Sequence, residues 1–399
     1  MRYNTGKSSL SGSGTGGAAM KILVAIDSLK GSLSSQDAAA AICRGIRSAC
    51  PGAEVDWLPV ADGGEGTVET LVSGLGGERI SVPVTGPLGT PVEAVYGWLP
   101  RQETAVFEMA QAAGLPLVPP ERRNPLHTTS RGVGELLRHA LDRGCRRMII
   151  GLGGSATNDC GIGMLAALGC RFLDAAGNEV EGFGRDVGRI ARIDASGLDP
   201  RLAACHIQAA CDVTNPLCGP TGASAVYGPQ KGATPEIVRE MDDAHRQFSR
   251  LAAESTGIDA AQTPGAGAAG GLGYALSVFL RARLRPGVSI ILDTLDFDRR
   301  AAWADVVVTG EGRLDGQTAQ GKLPVGVARA AKAQGALVVA LAGCVTPEAA
   351  ACNRHGIDAY FPILQRPCSE AEAMDPRAAA ANLESTAAQV FRLIEAARR

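Results

Sequence analysis

From Met20 onward the chain alternates short β-branched runs with helical stripes, and each handover passes through a polar loop rich in glycine. That rhythm constrains the fold more than any other feature. Strands separated by crossover helices pair in parallel, with the helices covering the sheet. Ile22–Ile26 reads as the first strand and runs into Asp27-Ser28-Leu29-Lys30-Gly31-Ser32. Ser34 and Asp37 then open a helix that carries Ala38, Ala41, Ile42 and Ala49 on one face. Glu54–Val60 is the second strand; it ends in Asp62-Gly63-Gly64-Glu65-Gly66-Thr67 and feeds a helix striped with Val68, Leu71, Val72 and Leu75.

The rhythm then breaks. Arg79–Val84, Val92–Leu99 and Ala105–Met109 are short strands joined by Gly/Pro turns, which predicts an antiparallel section. Helices follow with Val133, Leu136, Leu137, Ala140 and Leu141 on one face, and with Ile237, Met241, Phe248 and Leu251 after Thr234-Pro235. From about Ile290 the first rhythm returns: Val306–Val308, a glycine-rich loop, a helix from near Pro324, and Leu337–Leu341. The economical architecture is an α/β protein whose parallel sheet is built from both chain ends, with the middle inserted. No tandem repeat explains the pattern.

Lys plus Arg number 39 and Asp plus Glu 41, a near-balance that argues against nucleic acid or an anionic membrane surface as a partner. No stretch approaches the 18 apolar residues or so that a span requires. The 11 cysteines contain no C-x-x-C pair, and read as reduced thiols of a cytoplasmic enzyme. Segment 1–19 is Gly/Ser/Thr-rich and reads as a flexible leader before a start at Met20. Its Gly6-Lys7-Ser8 lacks the upstream glycine and strand of a phosphate loop.

Five loops could carry chemistry, several where a strand hands over to a helix, the edge at which ligands collect in open α/β sheets. Asp27, Ser28 and Lys30 form the first; a lysine near helix amides suits a phosphate or carboxylate, and Ser32 and Ser34 alternatively just cap the helix. Asp62 and Glu65, three apart on a triple-glycine backbone, suit Mg2+ or a hydroxyl proton. Gly151-Leu152-Gly153-Gly154-Ser155-Ala156-Thr157-Asn158-Asp159 joins strand Arg147–Gly151 to a helix as an anion cradle, with Ser155 and Thr157 as extra donors. Asp212-Val213-Thr214-Asn215 and the stretch through Gln230-Lys231-Gly232 could hold substrate, metal or nucleotide. The fifth loop is the densest in charge: Glu311, Arg313, Asp315 and Lys322, with Glu311 expected just past a strand tip.

Gly265, Gly267 and Gly270 match a dinucleotide fingerprint, but no β-strand precedes them. None of the five histidines falls in these loops, and no nucleophile elbow or metal-spaced His pair exists. What remains is carboxylates, lysines, an arginine and glycine cradles, the parts that position and neutralise phosphoryl oxygens.

Together the blocks AIDSLKGSLSS (25–35), PVADGGEGT (59–67), GLGGSATNDCGIGM (151–164), CDVTNPLCGPTGA (211–223), YGPQKGA (227–233), GAGAAGGLG (265–273) and VVTGEGRLDGQTAQGKLPVGVA (307–328) resemble the glycerate kinase type-1 family of bacteria. The likeness runs in order from Met20 nearly to the C-terminus; Cys160 stands where the family often has glycine. It implies ATP-dependent, Mg2+-assisted phosphorylation of D-glycerate, usually to 2-phosphoglycerate. It also implies a Rossmann- or flavodoxin-like domain of residues 20–80 and 288–399, an inserted α/β domain of 81–287, and an active site in the cleft between them.

On that basis Arg313 or Lys30 grips the carboxylate, with Asp27, Ser28, Asn158 and Asp159 around the substrate. Asp62, Asp212 or Asp315 accepts the hydroxyl proton. Glu311 and Glu65 hold Mg2+, Lys231 or Lys322 neutralises the transferring group, and Gly153, Gly154, Ser155 and Thr157 take phosphate oxygens. Rival readings are a dinucleotide dehydrogenase on Gly265–Gly270, a glycerate 3-kinase or kinase of another small hydroxy acid, and a non-catalytic glycerate sensor. Oligomeric state, homo-oligomer or monomer, stays open.

Overall fold

The computed structural model describes residues 19–398, so the leader reading lies outside the described residues up to position 18. Two sheets dominate. One is fully parallel, in the order Ala359–Pro362, Leu337–Val345, Val306–Leu314, Lys21–Val24, Glu54–Trp57. Both chain ends therefore meet side by side, with Leu23 opposite Val307. Strand order reverses between Lys21–Val24 and Val306–Leu314. Such a switch point opens a crevice beyond the carboxyl ends of the strands.

The second sheet has six strands from the middle of the chain: Arg283–Arg285, His206–Ala210, Arg147–Gly151, Thr104–Glu108, Pro91–Leu99, Glu78–Thr85. Only the Glu78–Leu99 hairpin and its pairing to Thr104–Glu108 are antiparallel; the rest of the sheet is parallel. The expected antiparallel section is thus one edge of a mixed sheet. Strands Arg171–Leu173 and Arg192–Asp194 form a separate small ribbon.

Strand alternation sorts the core. Ile22, Val24, Val306 and Val308 pack with Ile42, Ile46, Leu383 and Phe391 of the helices Ser35–Ala49 and Pro376–Ala397. Leu23 and Val307 point the other way, into a cluster that also takes Leu99, Val106 and Ile149 from the second sheet. The helices Thr67–Leu75 and Gly287–Thr294 lie in that shared cluster, so the two sheets are joined by apolar contact rather than by a linker alone. Each such buried Leu, Ile or Val side chain contributes roughly 1.5–3 kcal/mol.

Two helix starts explain how the loops at this junction are held. Ser34 caps Ser35–Ala49, its hydroxyl accepting the Asp37 amide at 3.1 Å. Thr67–Leu75 begins at Gly66 (φ 87°), which has no side chain to cap with. Buried Glu108, on the neighbouring sheet, accepts the Val68 amide at 2.9 Å instead. A carboxylate at that end also suits the helix dipole. Gly63 is obligatory at the crossing: its φ is +91°, and a Cβ there would lie 2.6 Å from Gly287 Cα.

One expectation changes. Glu311 and Arg313 lie inside a nine-residue strand, Val306–Leu314, not past its tip. Lys21–Val24 covers this strand only along Val306–Val308, whereas Leu337–Val345 follows it out to Leu314. The paired ends project beyond the sheet, and their glycines hide the β signal in the sequence.

Candidate active site

Asp27 follows the first strand at the switch point. Its amide donates to Gly310 O at 3.0 Å, which brings it beside Glu311, and its carboxylate accepts the Ser28 amide at 2.7 Å. The side chain is buried, and burial first, then the charge of Asp62, pushes its pKa to about 7 against the pull of Lys30. Lys30 donates to Asp62 at 3.3 Å; the negative charges of Asp62, Asp27 and Glu311 outweigh its desolvation and raise it. Glu311 is raised by burial, although it accepts the Thr318 hydroxyl at 2.5 Å.

Thr318 was not singled out from sequence, yet it joins two acids. Its Oγ1 also accepts the Asp315 amide at 3.1 Å, while Asp315 Oδ1 accepts the Gln317 and Thr318 amides. Burial would raise Asp315, but those amides, with Lys322 and Arg313, bring it below its ordinary value. Lys322 is exposed at the start of the helix Leu323–Ala333. Arg313 is 66% exposed, with Asp315 no nearer than 3.9 Å.

Beyond Asp62 a cleft of about 400 Å3 opens between the sheets. Asp62 and Gly64 form one wall, Gly153, Gly154 and Ser155 another, and Lys231 and Asp212 close it. Asp212 accepts the Gly287 amide at 3.0 Å; desolvation and the Asp62 charge still raise it. Lys231 is only 2% exposed and donates to Ser155 Oγ at 2.8 Å and Thr157 O at 2.6 Å. Burial lowers it to about 7, against the pull of Asp159. The amides of Gly153, Gly154 and Ser155 donate to no group among the described residues.

Other nominated residues stand behind this cleft. Asp159 is fully buried and accepts the Ser130 amide and hydroxyl at 2.8 and 2.7 Å and the Gly161 amide at 3.1 Å. Asn158 donates to Ser224 at 2.9 Å, and Thr157 is buried with its hydroxyl unpaired. These three hold the loop in place and do not face the cleft. The reason is close packing: a Cβ at Gly270 would sit 2.1 Å from Thr157 O, so the Gly265–Gly270 segment serves backbone contact. Glu65 is exposed and its charge acts on Glu108, whereas the charges that act on Glu311 are those of Lys322, Asp315 and Lys30.

Carboxylates and lysines that converge at a switch point, beside free loop amides, are arranged to handle anionic oxygens and a hydroxyl proton. The model of the glycerate kinase family matches residues 22–395. This chain belongs to the glycerate kinase family. It is an enzyme of the kinase class, and a kinase requires a nucleotide phosphoryl donor. The glycerate kinase of Bacillus subtilis (strain 168) is 52% identical over 345 residues, covering 86% of this chain and 90% of the relative. The glycerate 2-kinase of Escherichia coli (strain K12) is 47% identical, covering 86% and 91%. A crystal structure of a candidate glycerate kinase 2 from Salmonella typhimurium LT2 superposes with a TM-score of 0.88 at 49% identity, covering 95% of this chain and 99% of that one. The two-sheet architecture is therefore that of a glycerate kinase. Among the described residues no helix is long and apolar enough to cross a membrane.

For Mg2+, no three His, Cys, Asp or Glu among the described residues converge as a ligand set. A magnesium ion shared with phosphates and water needs only one or two carboxylates. Asp27 and Glu311 fit that need, since both carry a charge that burial disfavours and a cation would relieve.

Proposed function

We propose that the chain transfers the γ-phosphoryl group of ATP to the 2-hydroxyl of D-glycerate, in the cleft between its two sheets. The observation that carries this reading is the position of Asp62. It touches Lys30 on the parallel-sheet side and faces Asp212 across the cleft, so it stands between a phosphate-side cluster and a small-molecule pocket. The name of the E. coli relative supports the 2-position.

In this reading the domains are 20–80 with 288–399, and 81–287. Asp27 and Glu311 hold Mg2+, which when bound neutralises charge on the donor's phosphate oxygens. Thr318 and Asp315 orient Glu311, so Asp315 is a positioning residue rather than the base. Lys30 and Lys322 face the phosphates as cations. Asp62 orients the attacking hydroxyl and accepts its proton as the new O–P bond forms and ADP leaves; Asp212 helps align it. The chain works among the reduced thiols of the cytosol, consistent with its eleven unpaired cysteines.

The test is a Mg·ATP plus D-glycerate assay coupled to enolase and pyruvate kinase, with phosphoglycerate mutase left out. Signal in that mixture is the expected result. Signal only after mutase is added makes the enzyme a 3-kinase, and no ATP turnover removes glycerate as substrate.

A further inference from the structure

We propose that Lys231 and the free amides of Gly153, Gly154 and Ser155 seat the carboxylate of the acid substrate, and that docking there brings one proton onto Lys231. The inference rests on reading the cleft as a glycerate kinase site and adds which anion goes where. A neutral amine has two N–H donors and an ammonium three. Lys231 has two acceptors, Ser155 Oγ and Thr157 O, and no third among the described residues. It is buried, with no ion-pair partner among the described residues.

Asp159 lies behind it, already occupied by the Ser130 and Gly161 donors. His245, on the helix Pro235–Thr256, is fully buried and held neutral, with burial lowering it to about 4. Asp62 and Asp212 are the carboxylates that line the cleft with Lys231 among the described residues. Two acceptors thus suit a neutral amine above neutral pH, consistent with the lowered pKa. A docked carboxylate supplies both the missing acceptor and the missing charge.

The distribution of charge selects the carboxylate over the phosphates. Lys30, Lys322, Asp27 and Glu311 all gather at the edge of the parallel sheet, where a Mg-nucleotide finds both signs of charge. Lys231 is the one cation that lines the cleft among the described residues. Glycerate seated there by its carboxylate has its 2-hydroxyl one carbon away, toward Asp62, with the donor phosphate approaching from beyond.

The experiment is calorimetry of the full chain at pH 8 in two buffers of different ionisation enthalpy. D-Glycerate is titrated into enzyme saturated with Mg2+ and a non-transferable ATP analogue, and the analogue is titrated separately into free enzyme. The expected result is uptake of close to one proton with D-glycerate and little with the analogue. Lys231→Arg, always protonated, should bind D-glycerate without uptake. Lys231→Met should weaken D-glycerate at least tenfold while the analogue still binds, which also shows that the variant is folded. Uptake with the analogue alone assigns Lys231 to the nucleotide and overturns the proposal, as does D-glycerate binding whose heat is independent of buffer. Failure of the wild type to bind D-glycerate at all would instead remove the functional reading beneath it.

Discussion

The two walls of the cleft solve the same problem in opposite ways. At the edge of the parallel sheet, Asp27, Lys30, Asp62 and Glu311 offset one another, and the cluster is partly open to solvent. On the wall formed by the second sheet, Lys231 is enclosed and, among the described residues, meets only neutral acceptors and faces loop amides with no partner. Charges that offset each other can wait for ligand in water. A cation buried alone is costly, and its cost is relieved only when an anion arrives. The first wall is therefore suited to a large, multiply charged donor, the second to one small anion.

The comparison breaks most sharply at Asp62, the residue both walls share. Asp62→Asn keeps the shape but cannot accept the hydroxyl proton. It should lower kcat by roughly 10^2–10^4, with KM for D-glycerate and thermal midpoint little changed, because its exposed Lys30 pair contributes about 1 kcal/mol at most. Steady-state kinetics beside a melting curve separates these; an unaltered kcat removes Asp62 from proton transfer.

Gly63→Ala probes the contact that holds the walls together. The added Cβ meets Gly287 backbone at a left-handed φ, so a loss of about 1–3 kcal/mol is expected in urea unfolding. A neutral result would mean that the two walls are not rigidly joined there.

Lys231→Met sharpens the difference through pH. Below about 7 the folded and unfolded chains are both protonated at this lysine, and the buried charge destabilises in full. As pH rises through about 7 toward the ordinary 10.5, the folded chain gives up its proton first, so this lysine's contribution makes stability rise. Unfolding midpoints of wild type and variant should converge between pH 6.5 and 9, with the variant's advantage largest at the acid end. Parallel pH profiles would place a charge-compensating group at Lys231.

Arg313→Ala carries the smallest expected effect. Its guanidinium is largely in solvent, so KM for D-glycerate should change less than about threefold. A tenfold rise would return the carboxylate to the parallel-sheet edge and abolish the asymmetry between the walls.

Much of this arrangement is legible in the sequence because it is written locally. Ser34 and Asp37 mark a helix start by side-chain chemistry, and they cap it in the structure. The return of the strand–helix rhythm after Ile290 foretells a sheet made from both chain ends. Other features were hidden because their cause is distant. Glu108 reads as the end of a strand, and only packing brings it onto the amide of Val68, 40 positions earlier. Asn158 and Asp159 look like cleft residues in a glycine-rich loop, yet the closeness of Gly270 to Thr157 turns them inward.

By itself the sequence determined which residues are available for chemistry, the strands that carry them and, through block-by-block likeness, the family. Periodicity, caps and loop composition act over a few residues and survive in one dimension. Tertiary structure alone decided which carboxylates share a charge cluster, which lysine loses its water, and which polar residues support the fold. Those outcomes depend on desolvation and on distances between segments far apart in the chain, and neither exists until the two sheets have packed together.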